Sequence, residues 1–134
     1  MEPKAVYQNK LRSIPEVLSM VQSGQHICAA MCASEPVGLL SQLDSQAGRL
    51  HDVHVWMCLP MRKYDFYTRP EMAGHFILDN WFYGVPDRDA HHYGAVTYLP
   101  NNLHRAGTDS IHATGGSDIY FGTATPPNER GIMS

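Results

Sequence analysis

The residues best equipped for chemistry in this sequence are its eight histidines and three cysteines. His51 and His54 are three apart, His91 and His92 are adjacent, and Cys58 lies close to the first pair. Zinc would need three or four such ligands converging at about 2.0–2.3 Å. Residues three apart on a strand point to opposite faces, so His51 and His54 converge only if His51 lies in a turn. Ordinary surface and loop histidines are the simpler reading, and no metal site is expected. Cys58 with a distant histidine would make a nucleophilic thiol, which needs an electropositive, partly exposed setting. A buried structural cysteine is favoured over it. Asp87-Arg88-Asp89 beside His91-His92 could serve acid–base work, but a solvated helix start with Asp at the positive dipole end accounts for the same run. Gly115-Gly116 fits neither nucleotide-phosphate fingerprint. Residue types alone therefore yield no self-sufficient catalytic constellation.

The elements that must position these residues alternate between helix and strand. Ser13-Ile14-Pro15-Glu16 reads as a capping box opening a short helix that ends at Gly24. His26 to Met31 is a brief apolar strand. Ser34-Glu35-Pro36 then opens a second helix of about 12 residues, with Val37, Leu40, Leu43 and Ala47 on one face. Val53 to Met57 is a second strand, so residues 26–57 predict a βαβ unit with parallel strands and a right-handed crossover. Pro60 to Pro70 reads as an ordered surface loop. Trp81-Phe82-Tyr83, Ala95 to Leu99 and Ile119 to Thr123 are the remaining expected strands, with a short helix over Asp87 to His92. The expected fold is α/β: an open, mainly parallel sheet flanked by helices. No helix follows the last strand, a bare edge and face that suggest a truncated chain.

Composition narrows the function classes. The 134 residues suffice for one domain, and 43% hydrophobic with 17% charged residues fits a globular chain. Net charge is −3 and the ten Lys and Arg residues are scattered, which leaves no footprint for nucleic acid. No apolar run reaches the roughly 20 residues of a membrane span. MEPKAVYQNK at the start lacks the apolar core of a secretory signal, so a cytoplasmic protein with reduced thiols is expected.

Four stretches resemble the acetyl-CoA hydrolase/CoA-transferase family, most closely its 4-hydroxybutyrate CoA-transferase-like members. Gly24 to Leu43, GQHICAAMCASEPVGLLSQL, is similar to the family's strand, Glu-Pro turn and leucine-rich helix. Tyr67 to Gly84 carries Pro-Glu-Met-x-x-His-Phe, the most specific of the four. Tyr98-Leu99-Pro100 is like the Tyr-x-Pro that ends a strand, and Asp118 to Gly131 is like a strand followed by Ser-Pro-x-Asp-x-x-Gly. Ser34 stands where Gly is usual, Thr125 for Ser, Asn128 for Asp and Ile132 for Tyr.

The resemblance implies that residues 1–134 are the partial amino-terminal domain of an acyl-CoA:carboxylate CoA-transferase or acyl-CoA hydrolase. Its substrates would be a coenzyme A thioester and a small carboxylate, with no covalently bound cofactor and a homo-oligomeric assembly. The family's attacking glutamate belongs to a carboxy-terminal domain, and none of the five glutamates here matches its motif. The amino-terminal domain helps wall the acyl pocket. Glu35 and Pro36 in the first loop, with Asn128 and Gly131 in the last, are the candidate pocket residues, because both loops follow strands. A stand-alone module that binds a small carboxylate or acyl group is an alternative, as is a sugar-phosphate enzyme of a related fold. The lack of a Gly-rich phosphate loop counts against the latter.

Overall fold

Five parallel strands lie side by side in the order β4-β3-β2-β1-β5 in the computed structural model, which describes residues 2–134. They are β1 (His26–Ala29), β2 (Val53–Met57), β3 (Phe76–Asn80), β4 (Val96–Tyr98) and β5 (Ile119–Phe121). Each step from β1 to β4 moves to the next neighbour in one direction, and the step to β5 returns across the sheet to the far side of β1. Right-handed crossovers place connections made in opposite directions on opposite faces. The connections carrying α3 (Val37–Leu40), α4 (Asp65–Thr68) and α5 (Val85–His91) therefore cover one face. Only α6 (Ala106–Thr114), between β4 and β5, falls on the other.

The first face is the hydrophobic core. Alternation along the strands turns Ile27, Val53, Val55, Met57, Phe76, Leu78 and Phe121 inward, each no more than 4% exposed. Leu18 from α2 (Ile14–Ser19), Leu40 and Leu43 from the first crossover, and Phe66 and Tyr67 from α4 close over them. The Phe66 ring meets Tyr67 and Phe76 edge-on, at 5.2 and 6.0 Å between centroids. Burying one such side chain stabilises the fold by about 1.5–3 kcal/mol. The expected capping box is present: the Ser13 amide donates to the Glu16 carboxylate at 2.7 Å and the Glu16 amide to the Ser13 hydroxyl at 3.4 Å. Arg49 caps the other end of α2, donating to the carbonyls of Leu18 and Val21 at 2.6 and 2.7 Å.

Several expectations need correction. The 12-residue crossover helix is instead α3 and a separate 3-10 turn, Leu43–Gln46. Gln42 leaves helical geometry at φ −123°, and the Ser45 hydroxyl donates to its carbonyl, the local competition that short polar side chains offer a helix. Leu40 and Leu43 still reach the core. The third strand is Phe76–Asn80, and Trp81 to Tyr83 is loop. The expected loop over residues 60–70 contains α4. Two helices had no expected counterpart, α1 (Pro3–Lys10) and α6.

Asp87 is fully buried and not, as expected, part of a solvated helix start. Its Oδ2 accepts from the Gly84 amide at 2.7 Å and from Asn80 Nδ2 at 2.8 Å. Asn80 Oδ1 in turn accepts from the amides of Leu59 and Phe82 at 3.3 and 3.0 Å. Two buried polar side chains thus tie the loops after β2 and β3 to α5. Burial raises the Asp87 carboxyl above its ordinary 3.8, against the lowering effect of its hydrogen bonds. A carboxyl raised in the folded state favours folding most below that ordinary value, and the contribution fades as pH rises through the raised one. Asp87→Ala, which strands two donors, should cost about 2–4 kcal/mol in urea denaturation. Asp87→Asn should cost less, and its deficit relative to the parent chain should shrink as pH rises. A deficit that is constant with pH would rule out this account.

Candidate functional site

Strand order reverses at β1, and the loops leaving the carboxyl ends of β1 and β5 meet there. The Ala30 amide donates to the Phe121 carbonyl at 2.8 Å, and the Thr123 amide to the Ser34 carbonyl at 3.1 Å. The Thr123 hydroxyl adds a bond to the Glu35 carbonyl at 3.3 Å. Such a switch point is where open α/β sheets hold ligands. A depression of about 340 Å³ lies beside it, lined by Cys28, Met31, Ser34, Cys58, Leu103 and Tyr120 among others. Its wall is largely apolar. Burial pushes the Cys28 and Cys58 thiols up, and Cys32 nearby raises Cys58 further. Neither has the depressed pKa of an activated nucleophile.

Glu35 and Pro36 are both buried in the first of these loops. The Glu35 side chain points inward, 5% exposed, and its Oε1 has no hydrogen-bond partner. The Tyr64 hydroxyl is likewise buried and unpartnered. Burial, then hydrogen bonding to Glu35 and its charge, push that phenol well above its ordinary range. The two groups left without an ideal partner are thus neighbours that approach each other, and a small adjustment would pair them. Asn128 is exposed and ties its own turn, Oδ1 accepting from the amides of Arg130 and Ile132 at 2.9 and 3.0 Å. Gly131 has φ +78°, and a Cβ there would lie 3.0 Å from Pro3 Cβ, so both a left-handed turn and a close approach demand glycine. The structure brings Glu35 and Pro36 to the switch point. Asn128 and Gly131 sit further along the segment leaving β5, against α1.

A second arrangement was not anticipated. On the sheet face that α6 covers, the register aligns Tyr120, Cys28, Trp56, Asp79 and Thr97 in one row across all five strands. Asp79 is 6% exposed. Its Oδ2 is 2.6 Å from His54 Nδ1, and its Oδ1 accepts from the Thr97 hydroxyl. A carboxylate can only accept, so Nδ1 carries the proton and Nε2, 3.5 Å from Asp52 Oδ1, faces outward. The signal available in the sequence was an acid set inside the apolar run FILDN. His51 takes no part, and among the described residues no group of three His, Cys, Asp or Glu side chains is placed to hold a metal.

Comparison with solved structures finds one protein repeatedly. The chain is similar to RipA. The crystal structure of RipA from Yersinia pestis aligns over 100% of this chain and 33% of its own, at 26% identity and a TM-score of 0.84. Two substituted RipA variants give TM-scores of 0.87 at 26% identity and 0.86 at 28%. This chain spans about a third of the length of those RipA structures. No protein-family model matches the sequence. No curated protein matches it either.

The Asp79 contacts fix the His54 tautomer. Asp79→Ala should cost about 2–4 kcal/mol, because it removes a buried acceptor from two donors. The imidazole nitrogen shifts of His54 should then show loss of the Nδ1–H tautomer. Unchanged shifts in a folded variant would mean that Asp79 does not orient the ring.

Proposed function

We propose that this chain is the amino-terminal part of an acyl-CoA:carboxylate CoA-transferase, of 4-hydroxybutyrate/acetate type, or of the related acyl-CoA hydrolases. What carries the reading is the place of the Glu-Pro turn. It leaves the carboxyl end of β1 at the strand-order reversal, is held there by Thr123 from the β5 loop, and follows directly on Ser34, which lines the 340 Å³ apolar depression. A short acyl group suits such a wall, and a carboxylate-to-carboxylate transfer requires little else of this part of the enzyme than to shape and dry the pocket.

The chemistry is shared between domains. A glutamate outside this chain attacks the thioester carbonyl, and the CoA thiolate leaves as a mixed anhydride forms. The thiolate then attacks the anhydride at the glutamyl carbonyl and releases the first carboxylate. A second carboxylate attacks the glutamyl thioester and expels the thiolate as a new mixed anhydride forms. The thiolate then attacks the acyl carbonyl, giving the new acyl-CoA and freeing the glutamate, which makes the kinetics ping-pong. In the hydrolase variant water is the final acceptor. The substrates are an acyl-CoA and a small carboxylate, no prosthetic group is needed, and the enzyme is a cytoplasmic homo-oligomer completed by its carboxy-terminal domain. No helix among the described residues is long and apolar enough to cross a membrane.

Two measurements test this reading. The 134-residue chain alone should not move CoA between an acyl-CoA and acetate, whereas a longer protein carrying the second domain should. Turnover by the isolated chain at the longer protein's rate would overturn the assignment. In that longer protein, Glu35→Ala should lower kcat/KM on the order of tenfold or more by misplacing the pocket wall. Asn128→Ala should lower it less, through its turn. Wild-type kinetics and stability in both variants would reduce these loops to scaffold.

A further inference from the structure

Between the second face of the sheet and α6 lies a cavity of about 420 Å³, within the range of small-molecule sites. It shares only Trp81 with the depression beside the Glu-Pro turn. Four aromatic rings run continuously along it. The His54 and His26 rings stack at 5.0 Å with planes 19° apart, His26 leans on Trp56 at 5.0 Å, and Trp56 meets Trp81 edge-on at 6.4 Å. The two indoles make a corner at 61°.

The acidic and basic side chains among its lining residues are two aspartates and two histidines. Asp79 and Asp109 line it, while no lysine or arginine does among the described residues. Arg105 pairs with Asp109 at 3.1 Å, and Asp79, held by His54 and Thr97, is the buried carboxylate behind the rings. A carboxylate or phosphate finds no lysine or arginine in this lining. The negative faces of indole rings attract cations, most strongly where water is partly excluded. Substituted ammonium groups suit such a setting best, because their alkyl groups bury against the rings while the charge stays unpaired by hydrogen bonds.

We propose that this cavity binds a small organic ammonium ion, its alkylated nitrogen lodged in the Trp56–Trp81 corner in front of Asp79. The site is independent of acyl transfer, and it is readable in isolation because the chain has two tryptophans and both line it. The test is an intrinsic-fluorescence titration of the 134-residue chain with choline. Choline should give a saturable change, its uncharged tert-butyl isostere should bind at least about tenfold more weakly, and acetate should give none. Trp81→Leu should weaken choline by about tenfold with Trp56 still reporting. Trp81→Phe, which keeps a ring should the leucine variant fail to fold, should weaken it a few-fold by the same measure. Equal binding of choline and its isostere would make the cavity a plain apolar cleft and overturn the proposal. So would the absence of a saturable signal in both fluorescence and calorimetry, or undiminished affinity in a folded Trp81 variant.

Discussion

Handedness organises this molecule. A strand that twists to the right and feeds a right-handed helix packs back on its sheet in only one way. Three consecutive steps in one direction therefore commit three connections to the same face, and the single return step to β5 commits α6 to the other. The asymmetry of the two faces follows. One is sealed by several short elements and holds the buried aliphatic and aromatic cluster. The other is roofed by nine residues of helix and stays partly open, with Tyr120 more than half exposed.

Polar chemistry distributes itself accordingly. On the sealed side, buried polar groups are mostly tied down, although the Tyr64 hydroxyl and Asp87 Oδ1 keep no partner. Asn80 and Asp87 share five hydrogen-bonding roles among loop amides and each other, which makes them anchors and not reactive groups. Tyr67 belongs to the same set: its hydroxyl donates to the Arg62 carbonyl at 3.0 Å, and burial together with Asp87 pushes the phenol far up. On the open side, residues that would be intolerable in a dry core sit in a row: two histidines, an aspartate and two indoles. Glu35 lies at the border between the regimes, buried yet incompletely bonded.

Much of the framework was legible from residues. Ser13 to Glu16, Val53 to Met57, and the strands around Val96 and Tyr120 follow from capping chemistry and β-branched runs, and they appear where expected. The all-parallel pairing follows from the βαβ spacing. Misplacement of the third strand has a physical cause. Asp79 and Asn80 look unlike interior strand residues until their partners His54, Thr97 and Asp87 are known, and those lie 25, 18 and 7 residues away. Periodicity reports burial, not compensation. The same blindness hid the His54–Asp79 pair, while the Glu-Pro turn was visible because proline and a following leucine face mark it locally. Gly131, named as a pocket candidate, is held to glycine by its positive φ and by its approach to Pro3.

The parallel order also imposes a sequence of events in time. β1 meets β2 across about 28 residues of chain but meets β5 across 92. Closing the longer loop costs about 1 kcal/mol more in chain entropy, and β5 registers three residues against β1, as β2 does, where β2 and β3 share five. The β1–β5 seam is therefore the slowest part of the sheet to zip, and as an edge pairing it opens more readily than the central β2–β3 pair. The junction of the Glu-Pro turn with Thr123 inherits that kinetic weakness, so amide hydrogens at Ala30 and Thr123 exchange with solvent ahead of those in β2 and β3.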